Sequence, residues 1–352
     1  MDTSLALIKR LSLACGPSGF ESEVTRIITE SLEGIGSVET DAIGNVVCTI
    51  SGQAPDAPAI LFAAHQDEIG FMVSEVLESG FLRFTPIGGW NALTLPASPV
   101  DVIGRDGRAI PGVIGQLPPH FLKKGAEPQV PGIDELFIDI GASSAKEVEE
   151  HFGVLLGSII LPSTRFSFDG NSGCIMSKAF DDRIGVAALI ELAYKIVDFP
   201  VGATVILAFT VQEEVGTRGV KVLANRIASE VAVVVEGAPA DDVPGFPAKS
   251  QTCVGMGAHV RLFDPTHIGH PGVLALARTA ARARGIRIQE AVRKGGGTDA
   301  MVLALADRGI PTIVTGVPVR YAHSHNCVAS LGDYRELVSL LFAMCQDMTR
   351  PS

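Results

Sequence analysis

The chain of 352 residues is 47% hydrophobic and 19% charged, with 38 Gly and 21 Pro, which excludes disordered, collagenous and coiled-coil classes and suits roughly two globular domains. Its 28 basic and 39 acidic side chains leave a net charge of −11, which opposes a grip on nucleic acid or anionic lipid and favours cations as ligands. No apolar run reaches the ~18 residues that span a bilayer, the amino terminus lacks the basic-then-apolar order of a secretory signal, and six scattered cysteines include no C-x-x-C pair. A cytoplasmic protein without nucleic-acid or membrane partners is expected.

Helical spacing from Leu5 to Leu32 is broken at Gly16 to Glu21, so the opening predicts helix, loop, helix, with Ser18 and Glu21 spaced as a capping box. Strand-like runs follow at Gly44 to Ile50 and Ala59 to Ala64, the second continuously apolar and ending at His65. From Gly70 to Pro162 short alternating runs separated by Gly, Pro and Asp predict a small β-rich domain. Within it, Pro118 to Pro131 holds four prolines, together with His120, Lys123, Lys124 and Glu127, and predicts a mobile surface loop. Beyond Lys178 helix and strand alternate again: helices at Arg183 to Val197, Gly219 to Ile227, Pro271 to Arg284, Thr298 to Asp307 and Tyr334 to Thr349, and strands at Ala203 to Val211, Val231 to Val235, Ala258 to Phe263 and Thr312 to Thr315. The expected class is α/β, with residues 1–68 and 165–352 forming one domain and residues 69–164 inserted between them.

Polar residues interrupt this apolar text where strands stop or helices start: His65 to Glu68, Asp181 to Arg183, Glu213-Glu214, a lone Glu236 after five aliphatic residues, and His323 to His325. The carboxyl ends of strands in an open α/β sheet form the crevice where ligands bind, so these positions can converge. Imidazole with several carboxylates suits zinc, cobalt or manganese, and the acid count suits two cations sharing a bridging carboxylate. His65 and Asp67 are two apart, so an extended chain points both to one face and lets Asp67 fix the His65 tautomer. Glu213 and Glu214 are adjacent and are expected to point to opposite sides of a strand, one for metal and one for protons. Each feature alone has an ordinary structural explanation: a satisfied strand-end histidine, a solvated acidic lip, an N-cap at Asp181-Asp182.

Together, Ala63 to Val73 (AAHQDEIGFMV), Lys178 to Arg183 (KAFDDR), Glu213 to Gly219 (EEVGTRG) and Arg320 to Ser324 (RYAHS) resemble the tetrahedral aminopeptidase family, dinuclear-metal peptidases also described as glutamyl or deblocking aminopeptidases and as cellulase M. Further blocks in the same order are Ser18 to Glu21, Gly112 to His120, Leu136 to Ser144, Glu236-Gly237 with Asp241 to Gly245, and Gly296 to Asp299. The resemblance implies a mixed-sheet, zinc-exopeptidase-like catalytic domain with an inserted, β-barrel-like dimerisation domain, dimers assembling into a hollow tetrahedral dodecamer. It implies Asp181 as the carboxylate bridging two divalent metals, zinc or cobalt with manganese as an alternative. His65 and Glu236 would complete one metal, and Glu214 and His323 the other. Glu213 would be the general base for a water bridging the metals, and Asp67 would orient His65. The peptide bond after the bridging Asp is expected to be cis. The implied activity is removal of the amino-terminal residue from short peptides. Gln66, Met301 and the Asn326-Cys327 pair depart from the family's usual residues, the last two near the expected substrate pocket. The alternatives are an endo-β-glucanase, disfavoured by a supply of only 3 Tyr and 1 Trp for stacking on sugars, and a catalytically silent relative, which would be expected to have lost Glu213 or a ligand.

Overall fold

The aliphatic runs on either side of the inserted segment become neighbours in one mixed sheet in the computed structural model, which describes residues 2–54, 56–118, 131–246 and 249–348. The strand order is Ser37–Thr40, Val46–Ile50, Thr204–Thr210, Ala59–His65, Val231–Pro239, Thr312–Val319, Ala258–Asp264 and His267–Ile268, with Ile288–Val292 also paired to Ala258–Asp264. The three strands Thr204–Thr210, Ala59–His65 and Val231–Pro239 run parallel and are buried almost throughout, as their unbroken apolar sequences require.

Side chains alternate between the two faces of this sheet. Val231, Val233 and Val235, with Ile60, Phe62, Val205, Leu207 and Phe209, enter the larger core, beneath the helices Thr3–Leu13, Ser22–Ser31, Phe180–Asp198, Pro271–Arg284 and Leu331–Asp347. Ala232, Val234, Leu61, Ala63, Ile206 and Ala208 enter a smaller core covered by Arg218–Leu223 and Ala300–Leu303. The same parity puts His65, Thr210 and Glu236 on the thinly covered face. Thr210 pairs with His65, and the register of Val234 opposite Ala63 carries Glu236 to the level of His65. Three polar side chains therefore form a row at the carboxyl ends of three adjacent parallel strands.

This unit comprises the chain up to Glu68, Phe166–Ala322 and the part from Asn326. The second unit comprises Ile69–Arg165 together with His323–His325. It is a closed barrel in the order Gly70–Val76, Leu82–Ile87, Phe137–Asp139, Ala109–Gly115, Pro99–Ile103, Ile159–Pro162. Its alternating sequences bury Phe71, Val73, Phe84, Val102, Ile110, Ile114 and Ile138, and closure pairs both edges of the sheet. Phe71 stacks on Trp90 with ring centroids 4.5 Å apart, and the Trp90 indole N–H donates to the Gly70 carbonyl at 3.0 Å.

Several expected elements differ in extent. The helix expected at Thr298 to Asp307 is Ala300–Leu303, and that at Gly219 to Ile227 is Arg218–Leu223. The strand expected to stop at Val235 continues through Glu236 to Pro239, because Thr312–Val319 pairs with it along that whole length. Cys174–Ser177, Cys327–Ser330 and Ser167–Phe168 form a small separate sheet that their short sequences did not announce. Of the loop expected at Pro118 to Pro131, residues 119–130 lie outside the described residues.

Candidate metal centre

His65 is the last residue of its strand and is 2% exposed. Its Nε2 lies 3.1 Å from Asp181 Oδ1 and 3.7 Å from Glu236 Oε2, while Nδ1 faces Asp67 Oδ1 at 3.4 Å. Among the described residues, His65, Asp181 and Glu214 offer ligand atoms within 4.8 Å of one another, and so do His65, Asp182 and Glu236. A ring-nitrogen lone pair and several carboxylates held this close in a buried crevice repel one another unless a cation or protons intervene. Burial pushes the carboxyl groups of Asp182, Glu213 and Glu236 well above the usual carboxylate range, and the neighbouring carboxylates add to the effect. Burial disfavours a charged His65, yet the Asp181 and Asp67 carboxylates hold its imidazole well above its ordinary value. This donor set of imidazole and hard oxygens fits a divalent metal of the zinc, cobalt or manganese type.

Asp181 and Asp182 have different duties. The peptide bond between them is cis, as expected, and both residues leave helical φ/ψ before the helix continues from Arg183. Asp182 does act as an N-cap, with Oδ1 accepting the Gly185 N–H at 3.1 Å, while Oδ2 accepts the His65 N–H at 3.2 Å. It thus fastens the ligand strand to the helix, and Asp181 is the one turned to the imidazole. The sequence offered an N-cap for the Asp181-Asp182 pair as a whole, and the family resemblance singled out Asp181, so Asp182 received no role in the site.

Glu213 and Glu214 are not on a strand: the strand ends at Thr210, and Gln212 takes a left-handed φ of 55°. The turn aims two successive N–H groups at one carboxylate, which the alternating N–H directions of an extended strand would prevent. Asp67 accepts Glu213 N–H at 3.0 Å and Glu214 N–H at 3.1 Å, and its Oδ2 also takes the Ser18 hydroxyl at 2.6 Å. Burial disfavours charge on Asp67, but His65, Ser18 and the Glu213 amide outweigh it and lower its pKa. The Ser18–Glu21 capping box does not form, because Ser18 is committed to Asp67 and Glu21 accepts the N–H groups of Gly19 and Gln212. Gln66 points away from the centre, donating to the carbonyls of Gly44 and Phe209.

Two further buried groups, Thr210 and Asp299, were given no role from the sequence, although Asp299 closes the block Gly296 to Asp299. Asp299 Oδ2 accepts the Thr210 hydroxyl at 2.6 Å, its Oδ1 has no hydrogen-bond partner, and burial raises its pKa to about 6. Thr210 ends its apolar run as His65 ends its own, a signal present in the sequence. His323 belongs to the second unit, where its Nδ1 lies 2.9 Å from the Gly89 carbonyl; that contact places the proton on Nδ1 and the lone pair on Nε2. Beside it in sequence, His325 is buried and its pKa falls to about 4 through desolvation.

The profile of the M42 glutamyl aminopeptidase family matches residues 44–340, and the chain belongs to that family. It is 35% identical to the glutamyl aminopeptidase of Lactococcus lactis over 339 residues, covering 96% of this chain and 94% of that protein. The crystal structure of a TET aminopeptidase from a marine sediment archaeon of the Thaumarchaeota superposes with a TM-score of 0.94 at 36% identity, covering 98% of this chain and 97% of the other. The Pyrococcus horikoshii TET1 peptidase, described as able to assemble into a tetrahedron or a large octahedral shell, has a TM-score of 0.86 at 32% identity, covering 98% and 100%. Mixed-sheet architecture with an inserted barrel is thus shared with aminopeptidases, as the sequence blocks imply. Among the described residues no helix is long and apolar enough to cross a membrane.

Proposed function

We propose that this chain hydrolyses the amino-terminal residue of short peptides with the aid of two divalent metal ions. The observation that carries the reading is the convergence of Asp67 on His65, Glu213 and Glu214, because one buried carboxylate orients a ligand, a base and a second ligand together. Asp181 would be shared by both metals, with His65 and Glu236 on one and Glu214 and His323 on the other. When bound, such metals lower the pKa of water and polarise the scissile carbonyl. Glu213 takes a proton from the attacking water and passes it to the departing amine. Its raised proton affinity, set by burial and then by Glu236, Asp299 and Glu214, suits both transfers. Asp67 keeps the imidazole of His65 in the tautomer that presents Nε2 to the centre.

An endo-β-glucanase reading has no support in a carboxylate cluster gathered around an imidazole, and the family is one of aminopeptidases. The barrel would supply a dimer interface and the dimers a hollow shell, on the example of the Pyrococcus horikoshii relative. Such a shell would restrict substrates to short unstructured peptides. A panel of amino-acyl anilides tests the chemistry: chelation should abolish hydrolysis, and cobalt, zinc or manganese should restore it. Full activity in the metal-free chain would overturn the reading. Light scattering tests the assembly, which a monomeric particle would refute.

A further inference from the structure

Glu68, Lys178 and Arg183 lie in the same sequence blocks as the site residues, yet none of them faces the imidazole. Glu68 immediately follows His65-Gln66-Asp67, while Lys178 and Arg183 bracket Asp181-Asp182. All three are buried, with exposures of 1%, 4% and 0%. Lys178 Nζ donates to both Glu68 oxygens at 2.6 Å, and Arg183 Nη2 donates to Glu68 Oε1 at 3.3 Å. The remaining donors reach the amino-terminal segment. Lys178 Nζ bonds the Ala14 carbonyl at 3.2 Å, and Arg183 bonds the carbonyls of Leu11 at 2.8 Å and Gly16 at 3.0 Å. Two residues beyond Gly16, Ser18 carries its hydroxyl to Asp67.

Two cations and one anion buried together are a poor device for stability, since their desolvation offsets most of their attraction. Their placement has another consequence. Each ion is covalently next to, or within three residues of, a group of the centre, so the triad fixes the separation of the 65–67 and 181–182 segments. We propose that Glu68, clamped by Lys178 and Arg183, is a positioning residue that sets the distance between the His65 imidazole and the Asp181 carboxylate, and hence the affinity of the centre for its metal. This rests on the proposed metallopeptidase reading. Without the clamp, the Asp182 bond to the His65 N–H still ties the two segments, but the contact of His65 with Asp181 at 3.1 Å loosens.

The test is the isosteric Glu68→Gln variant of the full chain, with Lys178→Met as a second variant that removes the cation. Metal affinity is read by competition between metal-free protein and a chromophoric chelator for cobalt, independently of catalysis. Turnover of an amino-acyl anilide is read at saturating cobalt. The proposal expects cobalt affinity to fall about tenfold or more, as for groups that orient metal ligands, and kcat to fall with little change in KM. Glu68→Asp, which shortens the tether but keeps its charge, should also lose affinity. If all variants fold and keep cobalt affinity and kcat within about twofold of the parent, with only Tm lowered, the triad is structural and the proposal is wrong. Should Glu68→Gln fail to fold, Lys178→Met and Glu68→Asp carry the same comparison. A parent that binds cobalt but cleaves no anilide would refute the peptidase reading, while the affinity comparison would still decide the positioning role.

Discussion

The carboxylate of Asp67 accepts the backbone N–H of Glu213 at 3.0 Å while its other oxygen accepts that of Glu214 at 3.1 Å. A residue expected only to orient His65 therefore also places the proposed base and the proposed second ligand. Asp67→Asn puts an amide donor against these N–H groups and removes the charge beside the imidazole. It should weaken metal binding by about 10- to 100-fold and lower kcat by about 10². A metal titration with parallel kinetics checks this, and unchanged values for both would contradict the assignment.

Glu213→Gln separates proton transfer from metal binding. Metal content measured by atomic emission should equal that of the parent, while turnover falls by about 10² or more. A variant that instead loses metal and keeps its rate would exchange the roles of Glu213 and Glu214.

Gly237 follows Glu236 at a place where the strand lies against the Asp181 turn. A Cβ there would sit 2.5 Å from the Phe180 carbonyl oxygen and 2.8 Å from the Asp181 nitrogen and Cα, all backbone atoms. Gly237→Ala must push Asp181 away, at about 1–3 kcal/mol for overpacking. We expect a destabilised chain in urea unfolding, and activity lost by more than the fraction unfolded. Full metal affinity in a folded Gly237→Ala protein would show that the close approach is unimportant.

Stability in the absence of metal should depend on pH with a definite sign. Burial raises the folded-state pKa values of Asp182, Glu213 and Glu236, and brings that of Asp299 to about 6. His65 is raised as well, by Asp181 and Asp67 against the effect of burial. The folded chain thus holds protons that the unfolded chain has already released, and stability declines as pH rises above the ordinary carboxylate value of about 4. Asp67, whose pKa is lowered, acts in the opposite sense only below that window. The Tm of metal-stripped protein should fall from about pH 5 to about pH 7, and added cobalt should flatten or reverse the trend, because metal replaces protons. A metal-free Tm that climbs over this range would contradict the burial of these groups as acids.

Much of this arrangement was legible before any coordinates. An apolar strand long enough to be buried on both faces ends in His65 and another aliphatic run ends at Glu236, so convergence at strand ends was legible, while the shared face follows from the observed register. That the inserted segment is a small β-rich unit was legible from its alternation and frequent turns, while its barrel form was implied only by the family resemblance. Sequence could not show the turn at Gln212 to Glu214, because the non-glycine left-handed φ that redirects two N–H groups is imposed by Asp67 from far along the chain. Ser18 was misread for a related reason: its local pattern satisfies a helix cap, but a buried carboxylate 49 residues away is the stronger acceptor. Short pairings such as Cys174–Ser177 with Cys327–Ser330 carry too few residues for any periodicity to register.

The place of Thr312–Val319 in the sheet bears on how the protein comes into being. This strand lies between Val231–Pro239 and Ala258–Asp264, so the Glu236 strand keeps an open edge until residues more than seventy positions further on have joined it. A polypeptide emerging amino terminus first exposes His65, Asp67, Asp181 and Glu213 well before that edge can close. Until then the crevice lacks its wall, and carboxylates that need mutual burial to gain proton affinity remain in water. Closure of the crevice beside Glu236 therefore waits on a strand made long after His65, Asp67, Asp181 and Glu213.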